Sequence, residues 1–570
     1  MTPIATAAAA RLGSSGRAGH VSSAWRARCT APRKNSSSTI GAKSTTAIDL
    51  DDDGAITVAD LAGLSHRMIY DDGPFDLVEA STLDMQAAMN AGVTTSVKIT
   101  QAYIDRIAAY DRTVAPGGTR PLNSIITVSD VALTAAAAAD AERAEHGMTS
   151  LLLGVPIALK DNCDTADMVT TGGCGCWNDN QTSTDAFMVK GLRDAGAVIL
   201  AKASLDEFAY GFVSEFSSFQ QPGSTLLVAS PYDTSKTAGG SSGGTGAAIA
   251  ANLAGIGFGT DTGGSIRVPS SYNQLVGIRP TVGLASRDGI IPLALSQDTG
   301  GPIARSVVDA AVALDAVVGV DPADAVTARQ AGLVPDSYTS ELSDTALQGA
   351  RIGYLPSMVG SNSATAGLFT QARATLEAQG ATVVELTAPT GFSAVLNEGS
   401  GSTNEFLHDL NIYVENHLSP DVAQRTLQQI MDGGNYVTSR RSVYQQRNAV
   451  TDATYQAWAG PTGSHTLQLA AGKTLVTQLM DDNDLDAIIY PSTNAYGTIG
   501  TNMRLSPNTG MPAVTLPMGT TGAGQGGAAV GVNLEWLGRD FSEGVLLGLA
   551  YDFEQATHYR TTPTLYPALG

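Results

Sequence analysis

The chain predicts an α/β fold, with helices layered on a mixed, largely parallel sheet. Three observations carry this. Apolar runs of strand length alternate with helical periodicity in the order β-α-β-α. Apolar residues make up 43% of the 570 and charged residues only 15%, which suits a large buried core. Beyond residue 75 nothing has the composition of a linker, so residues 76–570 read as one large domain.

Two segments precede that domain. Residues 1–47 hold no Asp or Glu and seven basic residues, among much Ala, Ser and Thr. Such a composition does not fold alone. An Arg- and Ser-rich, acid-free stretch resembles an organelle transit peptide, and a disordered tail or a misplaced start has the same composition. It lacks the apolar core of roughly 7–15 residues that marks a secretory signal. Residues 48–75 open on DLDDDGAITVADL. Asp49, Asp51, Asp53, Gly54, Ile56 and Asp60 fall at positions 1, 3, 5, 6, 8 and 12 of an EF-hand loop, with the Ala55 carbonyl at position 7. The segment resembles a single dockerin-type calcium loop, so structural calcium at Asp49, Asp51, Asp53, Ala55 and Asp60 is one expectation. An acidic helix start is the other.

From Leu77 the spacing turns helical. Leu83, Met85, Ala88 and Met89, then Ile99, Tyr103, Ile104 and Ile107, recur at three and four. NSIITV, 123–128, reads as a strand and the Ala-rich 130–146 as a helix. A strand at 155–159, a helix at 183–195, a strand at 198–200 and a helix at 204–210 follow. Later strands are expected at 352–354, 383–384, 487–490 and 513–516. Residues 390–480 read as mostly helical, covering the mouth of a site.

Charge and cysteine content narrow the function. A net charge of −21 argues against nucleic acid or an anionic membrane surface as a partner. No apolar run of about 18 residues offers a membrane span. A soluble protein is expected, cytoplasmic or exported without a recognisable secretory signal; composition leaves its oligomeric state open. Besides Cys29, the cysteines Cys163, Cys174 and Cys176 are close in sequence. Structural thiols, a disulfide between Cys163 and one of the others, or a metal site short of its fourth ligand all fit.

The chemistry concentrates in GGSSGGTGAAIAANLAGIGFGTDTGGSIR, Gly239 to Arg267. Two glycine-wrapped serines, Ser241 and Ser265, stand 24 positions apart. Glycine beside serine admits close backbone approach, as a nucleophile sharing its turn with oxyanion-binding N–H groups requires. Upstream, GVPIALKDN ends an apolar run in Lys160. Desolvation there lowers a lysine pKa and suits it to serve as a base. The glycines fit neither a P-loop, which needs a following Lys, nor a dinucleotide fingerprint. None of the seven histidines lies in the glycine region, so a Ser–His–Asp triad finds no histidine there.

Together these motifs resemble the amidase signature family, from about Phe75 to Pro563. The resemblance implies a three-layer α/β/α fold with a central mixed, largely parallel sheet. It implies a Ser–cis-Ser–Lys triad: Ser265 as nucleophile, Ser241 bridging after a cis peptide, Lys160 as general base. N–H groups of Thr262, Gly263, Gly264 and Ser265 would form the oxyanion hole, with Ser242, Asp261 and Arg267 in support. No catalytic cofactor is implied. PTVGLASRDGIIPLALSQDTGGPIARSV, with DNCDTADMVTTGG and NTGMPAVTLPMG, resembles the bacterial peptide amidase branch, which removes C-terminal amides of peptides. Relatives act on aryl amides, carbamates or lactam oligomers, and fold does not choose among these. Specificity is expected in loops 208–222 and 390–480. The competing readings are a scaffold-attached dockerin-like module, an inactive binding protein and a tRNA amidotransferase subunit. Intact Lys160, Ser241 and Ser265 speak against an inactive protein.

Overall fold

The computed structural model describes residues 75–569. The tail 1–47 and the expected calcium loop Asp49–Asp60 lie outside the described residues.

Eleven strands form the main sheet: β1 Ile125–Val128, β2 Pro156–Lys160, β3 Val198–Ala203, β4 Ile256–Asp261, β5 Val276–Arg279, β6 Thr299–Ala304, β7 Arg351–Tyr354, β8 Thr382–Glu385, β9 Ala487–Pro491, β10 Ala513–Ala523 and β11 Ala529–Leu537. Their spatial order is β1-β3-β2-β4-β6-β5-β10-β11-β9-β7-β8. The sheet is mixed. Parallel pairing holds in two wings, β3-β2-β4 and β9-β7-β8. Between them β4, β6, β5, β10, β11 and β9 pair antiparallel. The parallel β2 and β3 are buried at every residue, which explains their uninterrupted apolar reading.

Helices flank this sheet in three layers. They are α1 Thr82–Asn90, α2 Ser96–Tyr110, α3 Ala132–His146, α4 Phe187–Asp194, α5 Gly243–Ala250, α6 Arg267–Tyr272, α7 Val307–Asp315 and α8 Ser363–Ala378. Helix α2 shows why the periodicity was legible. The Thr95 side chain accepts the Lys98 N–H, and Ile99, Tyr103 and Ile107 form its buried stripe. Residues 390–480 are helical as expected: α9 Phe392–Asn397, α10 Phe406–Asn416, α11 Leu427–Gly433, α12 Arg441–Asn448, α13 Asp452–Ala459 and α14 Ser464–Asp482. Helix α15, Glu543–Thr557, closes the fold against β10. Among the described residues no helix is long and apolar enough to cross a membrane.

Three expectations are corrected. The sheet is not largely parallel: antiparallel pairs outnumber parallel ones, with β10 and β11 joined by a short connection as only antiparallel neighbours can be. The helix expected at 204–210 is only a 3₁₀ turn, Glu207–Ala209, with Phe208 and Ala209 at positive φ. Buried carboxylates override helix propensity there. Asp206 accepts the N–H groups of Val213 and Glu215, and Glu207 accepts the Val437 N–H and the Tyr444 hydroxyl. The cysteine pairing also differs. Cys174 and Cys176 form a disulfide across a tight turn, and Cys163 is a free, buried thiol. Cys163 sits just past β2 in an isolated bridge with Ile290, which separates it from that turn. Among the described residues no group of three or more His, Cys, Asp or Glu is placed to hold a metal ion.

Candidate active site

The site grows from the ends of two neighbouring parallel strands. Leu159 of β2 is in register with Phe258 of β4, so Lys160 and Thr260 end side by side. The carboxyl ends of parallel strands are where such sheets open a crevice. Lys160 is fully buried. Its Nζ donates to Ser241 Oγ at 2.7 Å, to Thr260 Oγ1 at 2.7 Å and to the Thr260 carbonyl at 3.3 Å. Burial pulls the lysine down to about 8, while the carboxylates of Asp206, Asp261 and Asp298 oppose that shift. The apolar run that reads as a strand therefore also desolvates the amine at its end.

Ser241 follows a cis peptide from Gly240. A Cβ on Gly240 would lie 2.2 Å from Asp206 Oδ2 and 2.9 Å from the Phe212 backbone, so this position takes glycine alone. The Ser241 carbonyl accepts the Asp206 N–H at 3.1 Å and the Ser214 hydroxyl at 3.2 Å. Ser242 joins the two serine loops. Its N–H donates to the Ser265 carbonyl at 3.2 Å, its hydroxyl donates to the Thr260 carbonyl at 3.2 Å, and its Oγ accepts the Thr260 N–H at 3.3 Å.

The Ser265 loop turns around Asp261. One carboxylate oxygen accepts the Gly264 N–H at 2.8 Å; the other accepts the Ile266 N–H at 3.0 Å and Arg267 Nε at 3.1 Å. Arg279 donates to the Asp261 carbonyl, and Arg267 reaches Glu535 at 2.6 Å. Burial would raise the Asp261 carboxyl, but Arg267, Arg279 and the N–H donors hold it well below the usual range. Asp261 and Arg267 thus bind each other inside this loop. The Gly264 N–H, expected in an oxyanion hole, is committed to Asp261, at a φ of 134°. Thr262, Gly263 and Ser265 line a cavity of about 540 Å³ instead.

That cavity contains the chemistry. Ser265 opens onto it, while Ser241 and Lys160 lie behind it, fully buried. Its walls include Ala209 to Phe212 from the first expected loop, and Ser400, Ser402, Thr403 and Arg440 from the second. A third wall, Thr498 to Asn508, was not expected. Its mixture of Thr, Gly, Met, Arg, Pro and Asn carries no periodicity that marks it. Thr260 and Asp206 were also missed. Thr260 stands inside GTDTGGSIR, where a hydroxyl on a strand end was the available signal. Asp298, which accepts the Thr262 hydroxyl and the N–H groups of Leu293 and Ala294, had no signal at all. His408 and His417 pair with Asp409 and Asp288 and do not line the cavity.

Comparison with known proteins assigns the family. The amidase family model matches residues 98–547. A probable amidase of Arabidopsis thaliana is 33% identical over 506 residues, covering 86% of this chain and 92% of that protein. A glutamyl-tRNA(Gln) amidotransferase subunit of Thermosynechococcus vestitus is 32% identical over 487 residues, 81% of this chain and 95% of that one. The solved peptide amidase of Stenotrophomonas maltophilia superposes with a TM-score of 0.75 at 33% identity, over 86% of this chain and all of that one. The chain belongs to the amidase family and is an amide-hydrolysing enzyme.

Proposed function

We propose that the protein cleaves amides through an acyl-enzyme formed on Ser265, with Ser241 and Lys160 as its proton relay. The observation that carries this is the 2.7 Å bond from a fully buried Lys160 to Ser241 Oγ, next in sequence to Ser242, whose N–H holds the carbonyl of the cavity-lining Ser265. Neutral Lys160 takes a proton from Ser241, which takes one from Ser265 as its Oγ attacks the carbonyl. The oxyanion develops beside the N–H groups of Thr262, Gly263 and Ser265, each donor worth on the order of 3 kcal/mol in such sites. The relay returns the proton to the leaving amine, and water then hydrolyses the ester.

The substrate reading is a C-terminal peptide amide or another small amide. The Stenotrophomonas peptide amidase likeness supports it, and about 540 Å³ accommodates a ligand of that size. Aryl amides, carbamates and lactam oligomers are the alternatives within the family. The amidotransferase likeness supports membership of such a complex as a second reading. Ammonia or amine release from purified protein, with peptide amides, anilides and glutamine as substrates, separates them. Turnover of peptide amides without glutaminase activity is expected. Turnover of glutamine alone would overturn the peptide amide reading in favour of the second.

A further inference from the structure

The cavity lining has an unbalanced charge. No Asp or Glu is among its residues, and two arginines are. Arg440 is already neutralised: it donates to the buried Asp206 at 2.9 Å and lies over the Tyr210 ring. Arg504 is not. Among the described residues its guanidinium makes one hydrogen bond, 3.1 Å to the Glu398 carbonyl, and no ion pair. It is only partly exposed, on a protein with net charge −21, where a cation usually finds a carboxylate.

Its position ties it to the reacting serine. Arg504 ends a 3₁₀ turn, Asn502–Arg504. The Met503 carbonyl accepts Arg267 Nη2 at 2.7 Å, which fixes the turn to the Ser265 loop. Met503 also packs on Gly264: a Cβ there would meet its sulfur at 3.3 Å. The residue before Arg504 therefore touches the residue before Ser265, and both Arg504 and Ser265 line the same cavity. An arginine fork with free N–H groups in a confined site recognises a carboxylate by paired charge-assisted bonds.

We infer that Arg504 is a specificity-determining residue, and that the preferred substrate is a small amide carrying a carboxylate away from the scissile bond. This rests on the proposed amide hydrolysis and narrows it. The hydroxyls of Thr498 and Thr501, which line the same cavity, suit the remaining lone pairs of such a group. Arg504 takes no part in the proton relay, so it acts on substrate selection and not on the Lys160 titration.

The test uses dipeptide amides with Glu, Met or Lys placed in turn at each of the two positions. Ammonia release gives kcat/KM for the full-length enzyme, and equilibrium binding of the same amides to the Ser265→Ala protein gives affinity without turnover. At one of the positions Glu is expected to exceed Met by at least about ten-fold, the scale of a charged hydrogen bond, with Lys weakest. Arg504→Gln should bring the Glu-to-Met ratio to within about three-fold, Arg504→Lys should keep part of it, and Arg504→Glu should invert it towards Lys. A wild-type enzyme indifferent to Glu at both positions overturns the inference. So does an Arg504→Glu variant that keeps the Glu preference. The binding arm reads the same ratios if no amide is turned over. Loss of hydrolysis with the Glu preference intact in binding then contradicts the proposed reaction and leaves Arg504 supported.

Discussion

The pH dependence of acylation follows from the burial of Lys160. As a base the amine must be neutral, and burial brings its pKa to about 8 from an ordinary 10.5. The neutral share is then about 1% at pH 6, about 10% at pH 7, half at pH 8 and about 90% at pH 9. kcat/KM, which reports groups of the free enzyme, should rise about fifty-fold from pH 6 to pH 8 and only about two-fold beyond. The assay is initial-rate hydrolysis of an uncharged anilide, so that substrate ionisation adds nothing. Cys163 is a useful control because its charge would oppose the shift. Burial pushes that thiol up to about 12, so it is neutral across the range and Cys163→Ala should leave the inflection in place. A flat profile from pH 6 to 8, or a rise complete below pH 7, would refute the assignment of Lys160 as base.

Three further outcomes are expected. Ser265→Ala should abolish hydrolysis with its circular dichroism and melting curve unchanged, and Ser241→Ala should cost several orders of magnitude, since relay members act as a unit. Lys160→Met should be inactive yet change the pH dependence of stability. The folded lysine pKa is depressed, so between about pH 8 and 10.5 the unfolded chain binds more protons and wild-type stability rises, by about 3 kcal/mol from this group. Denaturant titrations at both ends of that window should show this rise in the wild type and its loss in the variant. Asp261→Asn should destabilise by about 3–5 kcal/mol at neutral pH, because Arg279 and Arg267 are left buried with one carboxylate fewer. A variant within about 1 kcal/mol of wild type in urea would contradict this structural role.

Local patterning along the chain made part of this molecule legible before any coordinates. The helices of 82–110 follow from spacings of three and four, that of 132–146 from its alanines, and β2 from its apolar run. The two serine loops show in their glycines, because Gly240 has no room for a side chain and Gly264 needs its positive φ. Lys160 was readable as a desolvated amine because the residues that bury it precede it directly. Everything else needed the fold. The Lys160–Ser241 bond spans 81 positions, and Lys160 meets Thr260 across 100 because β2 and β4 end together. The antiparallel centre of the sheet joins strands from distant parts of the chain, and pairing at that range leaves no periodic trace. Asp206 and Asp298 are acidic residues like many on the surface, until buried N–H groups converge on them. The cavity wall at 498–508 is likewise polar sequence that faces inward only because Arg267 holds Met503. Buried polar groups are placed by partners far along the chain, and a partner is not visible until the fold supplies it.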